Sequence, residues 1–206
     1  MIILGTSSPR RIELFSHFKL PFQILAPQID EKVDETLYKT PEAVVIKIAK
    51  DKLQKICDNT INREDIDVII TADTIVWMDG RIFGKPRDSS NAKEILRELS
   101  GKWHKVFTGV CVKIDNEEFS FYEETSVKFR ELEDEEIDFY VSTGEPLDKA
   151  GAYGIQELGG VLVERIEGDY TNVVGLPLPK LWKLLFDRGV IKRYATRKWS
   201  EGEAIK

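Results

Sequence analysis

Apolar positions along this chain recur with two periods, and each period marks a kind of element. Ile2-Ile3-Leu4 is a short apolar run that predicts a buried strand, and Gly5-Thr6-Ser7-Ser8 predicts a loop. Ser8 followed by Pro9 is a helix-start signal, with serine capping and proline in the first turn, and predicts a helix to about residue 17 or 18. Residues 22–26 predict a second strand, and Thr40-Pro41 starts a long helix to about Cys57 by the same chemistry. The β-branched run from Val68 to Met78 predicts a strand, and Asp79-Gly80 a tight hairpin turn returning through Arg81-Ile82-Phe83. A helix is predicted from Ser90 to Leu99 and stopped by Gly101. Two long strands follow, Trp103–Ile114 and Glu118–Phe129, around Asp115-Asn116. Asp134–Val141 reads as a helix, Gly160–Ile166 as a strand and Pro177–Asp187 as a helix. Strands and hairpins are mixed with helices rather than strictly alternating with them. That order predicts an α/β fold with a mixed sheet, not a doubly wound parallel one.

The length, 206 residues, suits one large domain or two small lobes. Residues 1–190 are expected to form one domain of two lobes, and 191–206 a polar, loosely held tail. A formal net charge of −6 argues against a general nucleic-acid binder, although a basic pocket in an acidic chain can still take a small anion. Cys57 and Cys111 sit in apolar stretches and read as buried free thiols. His17 and His104 are far apart, and no Cys/His cluster suggests zinc. No apolar run reaches the roughly 20 residues of a membrane span, so the expected address is the cytoplasm.

Five features carry candidate chemistry. Arg10 and Arg11 lie in the first turn after Ser8-Pro9, where cations oppose the helix dipole unless an anion is bound. One solvated arginine and one ion pair to Glu13 or another acidic neighbour would also account for them. In the helix from Pro41, Val45, Ile46, Ile48, Ala49, Leu53 and Ile56 form one apolar arc, and Lys52 falls inside it. Lys52 must therefore snorkel out, pair with a carboxylate or face a ligand. Asp73 interrupts an apolar strand, which marks either a general base or metal ligand, or a satisfied structural carboxylate. Lys85, in Gly84-Lys85-Pro86, is carried back by the hairpin toward the same sheet. The segment from Gly144 to Gln156 combines three glycines with Asp148, Lys149 and Gln156, whose amide suits a base edge.

Taken in order, Ser7-Ser8-Pro9-Arg10-Arg11, Ile29-Asp30-Glu31, Thr71-Ala72-Asp73-Thr74, Gly84-Lys85-Pro86-Arg87-Asp88, Leu99-Ser100-Gly101, residues 144–156 and Glu167–Pro177 resemble the Maf family of septum-formation-inhibitor-like nucleotide pyrophosphatases. The match runs from about residue 3 to 185. The resemblance implies an elongated mixed sheet with flanking helices and two lobes around a cleft, similar to the inosine triphosphate pyrophosphatases. It implies hydrolysis of a nucleoside triphosphate to monophosphate and pyrophosphate with a divalent cation, Mg²⁺ or Mn²⁺, and a homodimer. On that pattern Asp73, Lys52 and Lys85 would be catalytic. Ser8, Arg10 and Arg11 would bind phosphate, and Glu31 and Asp73 would face the metal. Arg10, Thr74 and Gln156 match the base-selecting positions of the dTTP/UTP branch. The family name leaves a rival, a nucleotide-binding regulator of cell division with little turnover. One departure is Thr6-Ser7-Ser8 where many members carry Ala-Ser-x-Ser.

Overall fold

The computed structural model describes residues 1–29, 40–60, 63 and 65–194. Its centre is a seven-stranded mixed sheet. β1 (Ile2–Gly5) lies between β2 (Phe22–Ile24) and β3 (Val68–Met78), parallel to both. On its other edge β3 pairs antiparallel with β5 (Trp103–Ile114), β5 with β6 (Glu117–Phe129), and β6 with β7 (Val163–Glu167). The short β4 (Arg81–Phe83) shares β3's first edge with β1, further along. Asp79 and Gly80 between β3 and β4 both have positive φ, 51° and 80°, as a tight hairpin of this hand requires.

Among the described residues, besides a helical stretch at 190–194, six helices flank the sheet: α1 (Pro9–Ser16), α2 (Pro41–Asn59), α3 (Ser89–Leu99), α4 (Asp134–Ser142), α5 (Tyr170–Val174) and α6 (Leu178–Asp187). Ser8, Thr40 and Asp88 cap α1, α2 and α3 with their side chains; the first two starts were legible as residue types, whereas the Asp88 cap was not read and α3 begins one residue before the expected Ser90. Alternate residues of β3 face opposite layers. Ile70 and Ala72 join Leu4, Val110, Leu181 and Leu185 on one side. Ile69 meets Ala49 and Leu53 of α2 on the other. Val76 and Met78, nearer the β4 end, belong to a second large cluster with Leu96, Phe129 and Tyr140.

Two element readings change. The strand expected from Gly160 begins at Val163, because Leu158–Leu162 forms a 3-10 turn in which Gly159 packs against the Tyr140 hydroxyl. α5 was not expected; its five residues include Thr171, Val173 and Val174, weak helix formers held here by packing. Residues 190–194 are helical, with Val190 and Tyr194 buried and the Tyr194 hydroxyl bonded to Asp67 at 2.7 Å; the rest of the expected tail lies outside the described residues. Cys111 is buried as expected, whereas Cys57 is only half-buried. Among the described residues no helix is long and apolar enough to cross a membrane.

Candidate functional site

The pairing of β3 creates the site. β1 ends against it at the Gly5–Thr71 pair, and β4 begins at the Val76–Phe83 pair. Between those two partners, the edge of β3 over residues 72–75 pairs with neither β1 nor β4. Side chains from both faces of the strand reach this gap, so Asp73 and Thr74, which point opposite ways, line one cleft of about 800 Å³. The gap lies where the parallel strand β1 ends and the chain turns into α1, the kind of crevice where open α/β sheets bind ligands.

Each candidate described residue lines this cleft: Ser8, Arg10, Arg11, Lys52, Asp73, Thr74, Lys85 and Gln156. Glu31 lies outside the described residues. Ser8 caps α1 by accepting from the Arg11 N–H at 3.5 Å, and its own N–H donates to Thr6 Oγ1 at 3.0 Å. Thr6, which the sequence did not single out, thereby shapes the turn into the helix. Of its three alternatives Lys52 combines two, since it lines the cleft and pairs there: Nζ donates to Asp73 Oδ1 at 2.7 Å, with both side chains buried. Thr71 Oγ1 donates to the Ala49 carbonyl at 2.7 Å, so α2 is bonded to β3 one strand-alternation before the ion pair.

The two arginines separate. Arg10 pairs with Asp148 at 3.5 Å, not with Glu13. Burial raises the Asp148 carboxyl, but the hydrogen bond from Lys149 and the charges of Lys149 and Arg10 outweigh it and hold the group below the usual carboxylate range. Arg11 turns toward the protein: Nε donates to the Gly175 carbonyl at 2.7 Å, and a terminal nitrogen donates to Thr74 Oγ1 at 2.8 Å. The family resemblance gives Arg11 to phosphate; in the fold this guanidinium lines the cleft and also joins α1 to β3 and to the turn after α5. Gly175 has φ 122°, a conformation suited to glycine, and its position among the quoted motif residues was the only sequence signal of that contact.

Lys85 is exposed at the cleft rim. Lys149 is buried, with Nζ donating to the Glu145 carbonyl at 2.7 Å and to Asp148 at 2.9 Å. Gln156 Oε1 is buried without a hydrogen-bond partner. Five cations (Arg10, Arg11, Lys52, Lys85, Lys149) and two carboxylates (Asp73, Asp148) are among the described lining residues. A cleft with that excess attracts anions even though the chain as a whole is acidic.

The donor set also bears on a metal. Among the described residues there is no cluster of three or more His, Cys, Asp or Glu side chains. The carboxylates that line the cleft fit a hard divalent ion of the Mg²⁺ kind, which keeps waters and needs only one or two carboxylates beside phosphate oxygens. Asp73 and Asp148 are the carboxylates among the described residues that line the cleft.

The site is thus a cationic cleft for a phosphorylated ligand, cut into the edge of a mixed α/β sheet and holding one buried Lys–Asp pair. A family model for Maf-like proteins matches residues 1–188, and the chain belongs to the Maf family. It is 50% identical over 190 residues to proteins of Thermosipho africanus and Thermosipho melanesiensis, both named dTTP/UTP pyrophosphatase. Those alignments cover 92% of this chain and 94% and 99% of the relatives. A Bacillus cytotoxicus protein of the same name is 43% identical over 189 residues, 91% of this chain and 96% of that one.

Proposed function

We propose that this chain hydrolyses nucleoside triphosphates, dTTP and UTP foremost, to the monophosphate and pyrophosphate. The observation that carries the reading is the Lys52–Asp73 pair, set in the unpaired edge of β3 and inside a cationic cleft. The names of the relatives support the substrates.

The triphosphate tail lies against the start of α1, where the Ser8 hydroxyl and the positive end of the helix favour anions. Arg10 and Lys85 add charge that stabilises pyrophosphate as it leaves. Lys52 fixes the orientation of the Asp73 carboxylate. A water oxygen attacks the α-phosphorus, the bond from that phosphorus to the bridging oxygen breaks, and pyrophosphate leaves with the electron pair. The water's proton passes to a carboxylate, Asp73 in this reading. A divalent cation, Mg²⁺ or Mn²⁺, held by Asp73 and Glu31, would offset charge on the phosphate oxygens. Asp73 and Glu31 divide the duties of base and metal-facing ligand. Thr74 and Gln156 meet the base, and Arg10 is shared between base and phosphate.

The test is pyrophosphate release from dTTP with Mg²⁺ or Mn²⁺ by wild type and by Asp73→Asn, with folding checked by circular dichroism. Loss of a positioned proton acceptor should lower kcat by about a hundredfold or more. Activity within a few-fold of wild type would remove Asp73 from the mechanism. No release by wild type would favour a nucleotide-binding regulator.

A further inference from the structure

Thr74 and Thr108 stand directly opposite each other on β3 and β5, so their side chains share one face of the sheet. Their hydroxyl oxygens are 2.9 Å apart, and by distance alone either could donate. The surroundings decide the direction. Thr108 Oγ1 lies 3.1 Å from the carbonyl oxygen of Asn172, a group that can only accept. That carbonyl is held in place: the Asn172 amide donates to the Val106 carbonyl at 3.0 Å and to Thr125 Oγ1 at 2.9 Å. A threonine hydroxyl has one proton. Thr108 gives its proton to Asn172 and must accept from Thr74.

Thr74 Oγ1 also accepts from the Arg11 guanidinium, which can only donate. Its proton and one lone pair are therefore committed, and one lone pair is left. Thr74 lines the cleft. Gly175 beside it has no side chain to cover the oxygen; a Cβ there would stand 3.3 Å from Thr74 Oγ1. Gln156 Oε1 is a second acceptor without a donor. Its amide, however, carries both functions and can turn to present either. Gln156 alone does not separate uracil from cytosine, whereas a hydroxyl locked from two sides does.

We infer that Thr108 is a specificity-determining positioning residue. It makes Thr74 an acceptor only, so the cleft selects a nucleobase whose ring nitrogen bears a proton. Uracil and thymine carry that proton at N3; cytosine has a bare lone pair there. Thr108 is fully buried and touches no ligand; it acts through Thr74. The inference rests on the nucleotide reading of the cleft.

The test compares kcat/KM for UTP and CTP in wild type, Thr108→Val and Thr108→Ser. Wild type should favour UTP. Valine keeps the branched shape but removes the acceptor, so the Thr74 proton is freed to turn toward cytosine N3. The UTP-to-CTP ratio should then fall about three- to tenfold, the worth of one neutral hydrogen bond. Serine keeps the hydroxyl and should keep the ratio. If valine does not fold, Thr108→Ala removes the same oxygen and takes its place. A wild type without preference for UTP, an equal loss on both nucleotides, an unchanged ratio, or a serine variant that behaves like valine would each overturn the proposal while UTP turnover stands. If wild type releases pyrophosphate from neither nucleotide, the functional reading fails first and takes this one with it.

Discussion

Lys52 Nζ sits 2.7 Å from Asp73 Oδ1, and the two side chains are 8% and 11% exposed. At that burial a lone charge is costly, and removing one partner is worse than removing both. Lys52→Met should therefore destabilise the protein by about 3 kcal/mol, because it leaves the buried Asp73 carboxylate without that ion pair. Lys52→Met combined with Asp73→Asn should recover much of that stability and none of the activity. Urea unfolding of the two single variants and the double variant, read beside dTTP turnover, makes the comparison. A double variant no more stable than Lys52→Met would show that the pair is not energetically coupled. Asp73 and Lys52 were visible in the sequence as residues out of keeping with their apolar neighbours. Their pairing was one of several open fates. Choosing among those fates required knowing that α2 lies over β3, a long-range contact that no local pattern encodes.

That contact depends on an element-scale fit at Gly109. A Cβ at this position of β5 would lie 2.5 Å from the Val45 carbonyl carbon and 2.6 Å from its oxygen. These are backbone atoms of α2 and cannot swing aside. Gly109→Ala must push the helix off the sheet, and should cost about 1–3 kcal/mol, as overpacking does in a close-packed core. Because α2 carries Lys52, activity should fall as well, while the outward-facing Gly80→Ala at the β3–β4 turn should leave the Lys52–Asp73 geometry alone. Thermal melts and dTTP turnover of the two variants distinguish these effects; equal loss of turnover would count against the close approach as the cause. Element types were largely legible because their ends carry local chemistry: Ser8-Pro9, Thr40-Pro41 and Asp79-Gly80 each state a geometry in two residues. The β3–β4 hairpin was legible, but the order of the other strands was not, since β1 meets β3 from a distant part of the chain. The gap at residues 72–75, and with it the cleft, arises only from that order. The contacts of Arg11 within the protein were hidden for the same reason, as its partners Thr74 and Gly175 lie 63 and 164 residues away.

At the scale of the whole molecule, one histidine ties stability to pH. His104 on β5 is buried, with Nε2 2.8 Å from the Tyr153 hydroxyl and its ring edge-on to Phe129 and Tyr153. Nδ1 is buried without a partner. A cation there would have no counter-charge, and burial pushes the imidazole down to about 3 from its ordinary 6.5. The sign follows from which state binds the proton. Above 6.5 the ring is neutral both folded and unfolded, and its contribution is constant. Between 6.5 and 3 the unfolded chain takes up a proton that the folded one refuses, so stability falls by about 1.4 kcal/mol per pH unit. By pH 5 the loss should reach about 2 kcal/mol. Carboxylates held low in the fold act at lower pH: Glu136, lowered to about 2 by its hydrogen bonds from Arg130 and the Glu133 backbone, starts to count only as pH drops through its ordinary 4.5. The window from 6.5 to 5 therefore isolates His104. His104→Phe keeps the edge-on packing but leaves the Tyr153 hydroxyl without its ring nitrogen, so it should be less stable than wild type at pH 7. It should also lose the slope, and the two urea midpoints should converge by pH 5. Tyr153 lines the cleft, so acid acts on the wall that also carries Gln156. Parallel midpoints for the two proteins across this window would mean that His104 takes up its proton in the folded state as readily as in the unfolded one.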